Sequence, residues 1–149
     1  MGGLTALYQA VIGTGRVQLA QEADGRASVV LERRRSGHYL ATGAINGQPV
    51  RFLVDTGATD VAVSDTLARS IGLEFGPRTT IMTAAGPVRG WLTRLDSVQL
   101  GALSLSDVRA TIAPGLGNQA LLGMSFLKHF SIVQEGETLV IASPGVTRS

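Results

Sequence analysis

Turn chemistry recurs along this chain at intervals too short for long helices. Asn46-Gly47 lies between two strand-like runs, Tyr39–Ile45 and residues 50–54. Glycine has no Cβ to clash at positive φ and asparagine tolerates that region, so the pair suits the two-residue primed turn of a β-hairpin. Asp24-Gly25, between residues 17–20 and 27–31, and Glu135-Gly136, between residues 131–133 and 138–141, repeat the signal. Pro49 falls just ahead of the run at 50–54, where a missing N–H does least harm. Further apolar runs at 61–63, 79–83, 88–95, 98–100, 103–105, 108–113 and 121–122 are each bounded by turn residues. Two short helices are predicted. Asp65–Ile71 has Ser64 to cap it, an acid at its positive end and Gly72 to close it. The second covers residues 124–130, whose stripe of Met124, Phe126, Leu127 and Phe130 reads as core. About ten short strands and two short helices, with turns every six to twelve residues or so, predict an all-β domain, closed or sandwich-like. Residues 17–149 read as one domain, and residues 1–16 as a weakly amphipathic extension ending in Gly13-Thr14-Gly15.

Composition narrows the function. At 44% hydrophobic and 16% charged, 149 residues are enough for one domain with a real core. A formal net charge of +2 is too small for an electrostatic nucleic-acid footprint. Arg33-Arg34-Arg35 is the one basic cluster, readable as a solvated strand end or as a contact for phosphate or anionic lipid. Cysteine is absent, which removes disulfides, thiolate catalysis and thiolate metal sites and fits any compartment. The apolar stretch at residues 4–12 is interrupted by Thr5 and Gln9 and falls far short of the ~20 residues a spanning helix needs. It also lacks the basic leader and cleavage site of a signal peptide.

Several catalytic patterns are missing: no GxxxxGK[ST], no HExxH, and no GxSxG, which Gly123-Met124-Ser125-Phe126-Leu127 fails at its last glycine. His38 and His129 have no ligand spacing and read as structural. What is left is Asp55-Thr56-Gly57-Ala58, at the end of the apolar run Phe52-Leu53-Val54 and ahead of Val61-Ala62-Val63. Alone, Asp-Thr-Gly also fits a turn in which the carboxylate accepts local backbone N–H bonds. Here a strand pair with a glycine-containing tip follows about 30 residues on, and Leu121-Leu122-Gly123 precedes a short helix.

These blocks resemble the retropepsin-type aspartic proteases, the single-lobe class that includes the retroviral enzymes, and are most similar to bacterial single-domain members. The shared runs are Gly37-His38-Tyr39, Ile45-Asn46-Gly47, the block from Phe52 to Thr59, and Leu121-Leu122-Gly123-Met124-Ser125-Phe126-Leu127, within residues 27–142 or so. The loop tip departs from the pattern: bacterial relatives usually have Thr-Ala-Asn-Gly, and this chain has Thr83-Ala84-Ala85-Gly86 followed by Pro87. Any substrate contact made by that side chain is lost, while backbone contacts stay available.

The resemblance implies a closed β-barrel with a flap hairpin, no cofactor, and a homodimer acting on peptide or protein. Amide hydrolysis by carboxylates needs two of them sharing one proton, because like charges at close range cannot both ionise. Only one Asp-Thr-Gly is present. Asp24, Asp65, Asp96 and Asp107 sit at turns or a helix start, and the glutamates lie in polar or turn contexts. A two-fold dimer supplies the second copy, since its axis places a residue against itself. The resemblance assigns catalysis to Asp55, loop support to Thr56 and Gly57, and substrate contacts to Ala58, Asp60 and the flap tip Ala84, Ala85 and Gly86. For Asp60, capping a turn or pairing with an arginine is the competing reading. For the whole chain, the competing readings are a dimerisation or peptide-binding module without turnover, and a β-domain with a chance motif. Bacterial relatives imply a periplasmic location, with a membrane tether outside this chain.

Overall fold

A computed structural model describes residues 18–21, 27–83 and 85–144. In chain order the elements are β1 (Gln18–Gln21), β2 (Ala27–Glu32), β3 (Tyr39–Ile45), β4 (Gln48–Val54), β5 (Val61–Val63), α1 (Asp65–Ile71), β6 (Arg78–Thr83), β7 (Gly86–Leu100), β8 (Leu103–Ile112), β9 (Gln119–Leu122), α2 (Met124–Leu127), β10 (Ser131–Glu135) and β11 (Thr138–Ala142). The all-β expectation holds. The N-terminal extension, the Asp24-Gly25 turn and Ala84 lie outside the described residues.

The main sheet runs β3-β4-β9-β5-β8-β7-β6, and β3 also pairs with β7. Six strands therefore close into a barrel, while β6 extends β7 as a hairpin arm. Closure depends on Gly43: a Cβ there would lie 2.2 Å from the Gln99 carbonyl oxygen and 2.9 Å from the Phe52 ring. A bare Cα lets β3 come up against β7, and Ala44 and Ile45 then pair with Gln99 and Val98. Asn46 finishes the seam, its N–H donating to the Ser97 carbonyl at 2.9 Å and its Oδ1 accepting from the Ser97 N–H at 3.0 Å. The hairpin asparagine thus serves both the turn, at φ 51°, and the barrel closure.

Ile45, Phe52, Leu95, Val98, Leu100, Ile112, Leu122 and Phe126 are fully buried. Such side chains each contribute about 1.5–3 kcal/mol of transfer free energy. Met124 and Phe130 pack against this core and Leu127 lies within it, as the stripe predicts. The smaller sheet, β1-β2-β11-β10, is antiparallel throughout and covers one side of the core with Val29, Leu31, Leu139 and Ile141.

α1 forms as its local chemistry dictates: Ser64 Oγ accepts from the Leu67 N–H at 3.0 Å, and Gly72 ends the helix at φ 89°. The sequence suggests breaks at Asp96-Ser97 and Ser106-Asp107, but β7 continues for 15 residues and β8 for 10. The two strands face each other, with Leu95 opposite Val108 and Ser97 opposite Ser106. Asp107, at φ 55°, absorbs a local kink without ending either strand. Arg94, paired across the strands with Arg109, reaches it diagonally, Nε donating to Asp107 Oδ1 at 2.6 Å. That hydrogen bond first, and the guanidinium charge second, hold the Asp107 carboxyl below its ordinary value and raise Arg94.

Candidate active site

β9 lies between β4 and β5, parallel to the first and antiparallel to the second. The chain leaving β4 therefore crosses the end of β9 to reach β5, and Asp55 stands where that crossing begins. Its N–H donates to the Leu122 carbonyl at 3.1 Å, continuing the β4–β9 ladder by one residue. The Asp55 carboxylate is half-buried, and Oδ1 accepts from the Gly57 N–H at 2.9 Å. The Ala58 N–H donates to the Asp55 carbonyl at 3.1 Å, closing a tight loop. Thr56 and Gly57 are exposed at its tip, and Ala58 is half-buried.

The far side of the loop is held by the start of α2. The Met124 N–H donates to Ala58 O and the Ser125 N–H to Thr59 O, both at 2.8 Å. Ser125 Oγ accepts from the Val61 N–H at 2.9 Å and donates to the Arg109 carbonyl at 2.8 Å. Such contact between α2 and the loop requires Gly123: a Cβ there would meet the Asp60 carbonyl oxygen at 2.3 Å and the Ala58 oxygen at 2.7 Å. The run Leu121-Leu122-Gly123 thus packs directly behind the Asp55 loop.

Asp60 is only 14% exposed at its side chain and lies beside Arg109, whose Nε is 3.5 Å from Oδ2. The arginine pairing weighed from the sequence is therefore present. Ala85 and Gly86 occupy the turn of the β6–β7 hairpin, where Thr83 is opposite Gly86. Thr83 Oγ1 donates to the Gly86 carbonyl at 2.6 Å and accepts from the Ala85 N–H at 3.2 Å. Along β6 exposure alternates, so Thr79, Ile81 and Thr83 share the more covered face while Met82 is 75% exposed on the other. Arg33 pairs loosely with Glu137 at 3.7 Å, and His38 and His129 are exposed. Among the described residues no group of three or more His, Cys, Asp or Glu is placed to hold a metal ion.

Two side chains that shape this region escape sequence reasoning. Ser125 sits in a short helix read as core, whereas Thr83 already falls at the start of the loop tip. Arg109 becomes a neighbour of Asp60 only through the parallel pairing of β5 with β8. No local pattern announces that pairing.

A closed barrel with a single Asp-Thr-Gly loop braced by a Leu-Leu-Gly turn defines the single-lobe aspartic protease class. Residues 41–129 match the family described as gag-polyprotein putative aspartyl protease. The chain belongs to this retropepsin-like family of aspartic proteases. It is similar to a retropepsin-like aspartic protease from Rickettsia conorii, with a TM-score of 0.68 and 25% identity over 84% of this chain and 95% of that one. Among curated proteins it is 33% identical, over 80% of its length, to an uncharacterised protein from the cobV 5′ region of Sinorhizobium sp.. It is 30% identical, over 76%, to the uncharacterised protein RP867 of Rickettsia prowazekii (strain Madrid E). The chain spans about half the length of these two relatives, 53% and 50% respectively. Among the described residues, no helix is long and apolar enough to cross a membrane.

Proposed function

We propose that this chain is an aspartic endopeptidase working as a two-fold homodimer, each copy giving one Asp55 to a shared dyad. The observation that carries the reading is the setting of Asp55: a half-buried carboxylate on a loop braced from behind, beside an exposed Thr56-Gly57 tip. A C2 axis at that tip brings the carboxylate against its own copy. With one proton between them, the ionised member takes a proton from water as the water oxygen attacks the scissile carbonyl carbon. The neutral member gives its proton to the carbonyl oxygen. The carboxyl that took the water proton then gives it to the amide nitrogen as the C–N bond breaks, and a hydroxyl of the tetrahedral intermediate returns its proton to the other carboxylate. The pair titrates as a unit, so neither pKa belongs to one chain.

The remaining residues take supporting roles. Thr56 reaches across the axis to the partner's backbone and locks the loops. Gly57 and Ala58 keep the floor low enough for a peptide backbone, and Asp60 accepts from its N–H groups. The β6–β7 hairpin is the flap, with backbone groups at Ala84, Ala85 and Gly86 meeting the substrate and excluding water. An extended peptide between floor and flap pairs as an added strand, with alternate side chains in apolar subsites. Cleavage therefore falls between bulky apolar residues. A periplasmic site of action follows from the resemblance to bacterial relatives, and cell fractionation tests it.

The test is cleavage of a generic apolar peptide by wild type and Asp55→Asn, with fold and dimer checked by circular dichroism and sedimentation. Loss of cleavage with both retained is expected, along with specific activity that falls on dilution and an acid-leaning pH profile. Equal rates for the two proteins refute the proposal. Peptide bound but never cut across a wide pH range supports the competing module without turnover, which the polar-free tip at Ala84-Ala85 favours.

A further inference from the structure

Asp60 ends the catalytic loop, and the barrel determines which charge stands beside it. β5 pairs parallel with β8, Val61 opposite Ala110, so Asp60 and Arg109 stand side by side one residue before the ladder begins. The Ser125 hydroxyl bridges the two backbones there, accepting from the Val61 N–H and donating to the Arg109 carbonyl. Both ends of the ion pair are thus held at the backbone, and the side chains meet through one contact, Nε to Oδ2 at 3.5 Å. Asp60 is 14% exposed and Arg109 60% exposed. An enclosed carboxylate without a counter-charge would present its full charge to any side chain passing the loop. With Arg109 beside it, part of that field is offset.

Arg109 also lines a cavity of about 440 Å³, together with Glu74, Thr93, Arg94 and Asp96. Arg94 is already engaged by Asp107. The cations here are therefore balanced by neighbouring acids, and Arg109 is the one that faces Asp60. Removing it takes the counter-charge from Asp60 and a cation from the cavity that Glu74 and Asp96 line.

We infer that Arg109 is a specificity-determining residue, a built-in counter-charge that keeps the substrate position beside Asp60 from selecting basic side chains. The inference rests on the proteolytic reading of the same site. It makes the outer position tolerant, leaving discrimination to the apolar subsites nearer the dyad. Arg109 itself touches no reacting atom.

The experiment uses matched peptides that differ only in lysine or norleucine at the outer positions. They are cleaved by wild type, Arg109→Gln, Arg109→Lys and the double variant Asp60→Asn/Arg109→Gln. The same peptides are bound calorimetrically to each variant in an Asp55→Asn background, so turnover is not required. In Arg109→Gln the lysine-to-norleucine ratio should rise about threefold at low salt, as expected for a partly exposed charge pair, and shrink as salt is added. The change should fall mainly in KM. Arg109→Lys and the double variant should return the wild-type ratio. A merely structural role for Arg109 would depress both peptides alike. An unchanged ratio in Arg109→Gln, at low salt and with measurable binding, overturns the inference. Binding that follows the predicted ratios without cleavage by the wild type sinks the proteolytic reading and spares this one. If no peptide binds, both fall.

Discussion

Replacing Gly123 with alanine tests whether the brace behind the Asp55 loop is as tight as its geometry requires. The residue has φ −101° and ψ −167°, extended backbone open to any amino acid, so alanine meets no conformational penalty. The cost is steric. The new methyl would lie 2.3 Å from Asp60 O, 2.7 Å from Ala58 O and 2.9 Å from the Asp60 carbonyl carbon. All three are backbone atoms, so no side chain can rotate away. Ala58 O is also held by the Met124 N–H at 2.8 Å, so the loop and α2 must separate by the better part of an ångström. Overpacking of this kind costs about 1–3 kcal/mol. In a domain of this size that lowers Tm by roughly 3–10 °C. The loss of activity should be larger in proportion, because a displacement of about 1 Å at a catalytic group can cost on the order of 100-fold in rate. Gly47→Ala is the control. Its φ of 82° strains alanine but nothing lies within 4 Å, so Tm should fall by a few degrees, about 1–2 kcal/mol, with kcat/KM unchanged. Thermal denaturation and peptide cleavage on both variants decide the matter. Gly123→Ala with wild-type Tm and wild-type kcat/KM would refute the brace.

Ser125→Ala removes the acceptor of the Val61 N–H and the donor to Arg109 O, and should cost about 1–3 kcal/mol in urea denaturation while raising KM more than Tm loss alone explains. Ser64→Ala removes the α1 cap and should cost about 1 kcal/mol with no change in cleavage, since α1 is a helix remote in role from the loop. Asp107→Asn tests the surface pair. The folded-state pKa of Asp107 is depressed by Arg94, so its contribution is present above the ordinary carboxylate range and disappears as pH falls through and below it. The variant should be slightly less stable at neutral pH, the gap should close in acid, and salt should narrow it, all read from Tm against pH.

Much of the fold is legible because its signals are local. Asn46-Gly47, Glu135-Gly136, and Ser64 with Gly72 act within a few residues of themselves, and the structure uses each as its chemistry suggests. Apolar alternation likewise marks most strands. What escapes is non-local. The polar pairs Asp96-Ser97 and Ser106-Asp107 look like turns along the chain, yet they are cross-strand neighbours in one long ribbon whose kink is confined to Asp107. The insertion of β9 between β4 and β5 depends on pairings between residues more than 50 positions apart, as Val54 with Leu122 and Ala62 with Leu121 illustrate. At the site, Asp55-Thr56-Gly57 is conspicuous in the sequence, while its supports are not. Ser125 reads as one more residue of a core helix, and Arg109 as one exposed charge on a strand. Their roles exist only once β5, β8 and α2 converge.

The central claim is that each active site needs Asp55 from two chains. Wild type and Asp55→Asn are mixed, denatured, refolded together at fixed total concentration, and assayed on one peptide. If only pairs with two intact carboxylates cleave, activity follows the square of the wild-type fraction, and an equal mixture retains about one quarter of the full rate. A linear decline, with about one half retained at equal mixing, means that each chain works with its own carboxylate, and it contradicts the shared dyad.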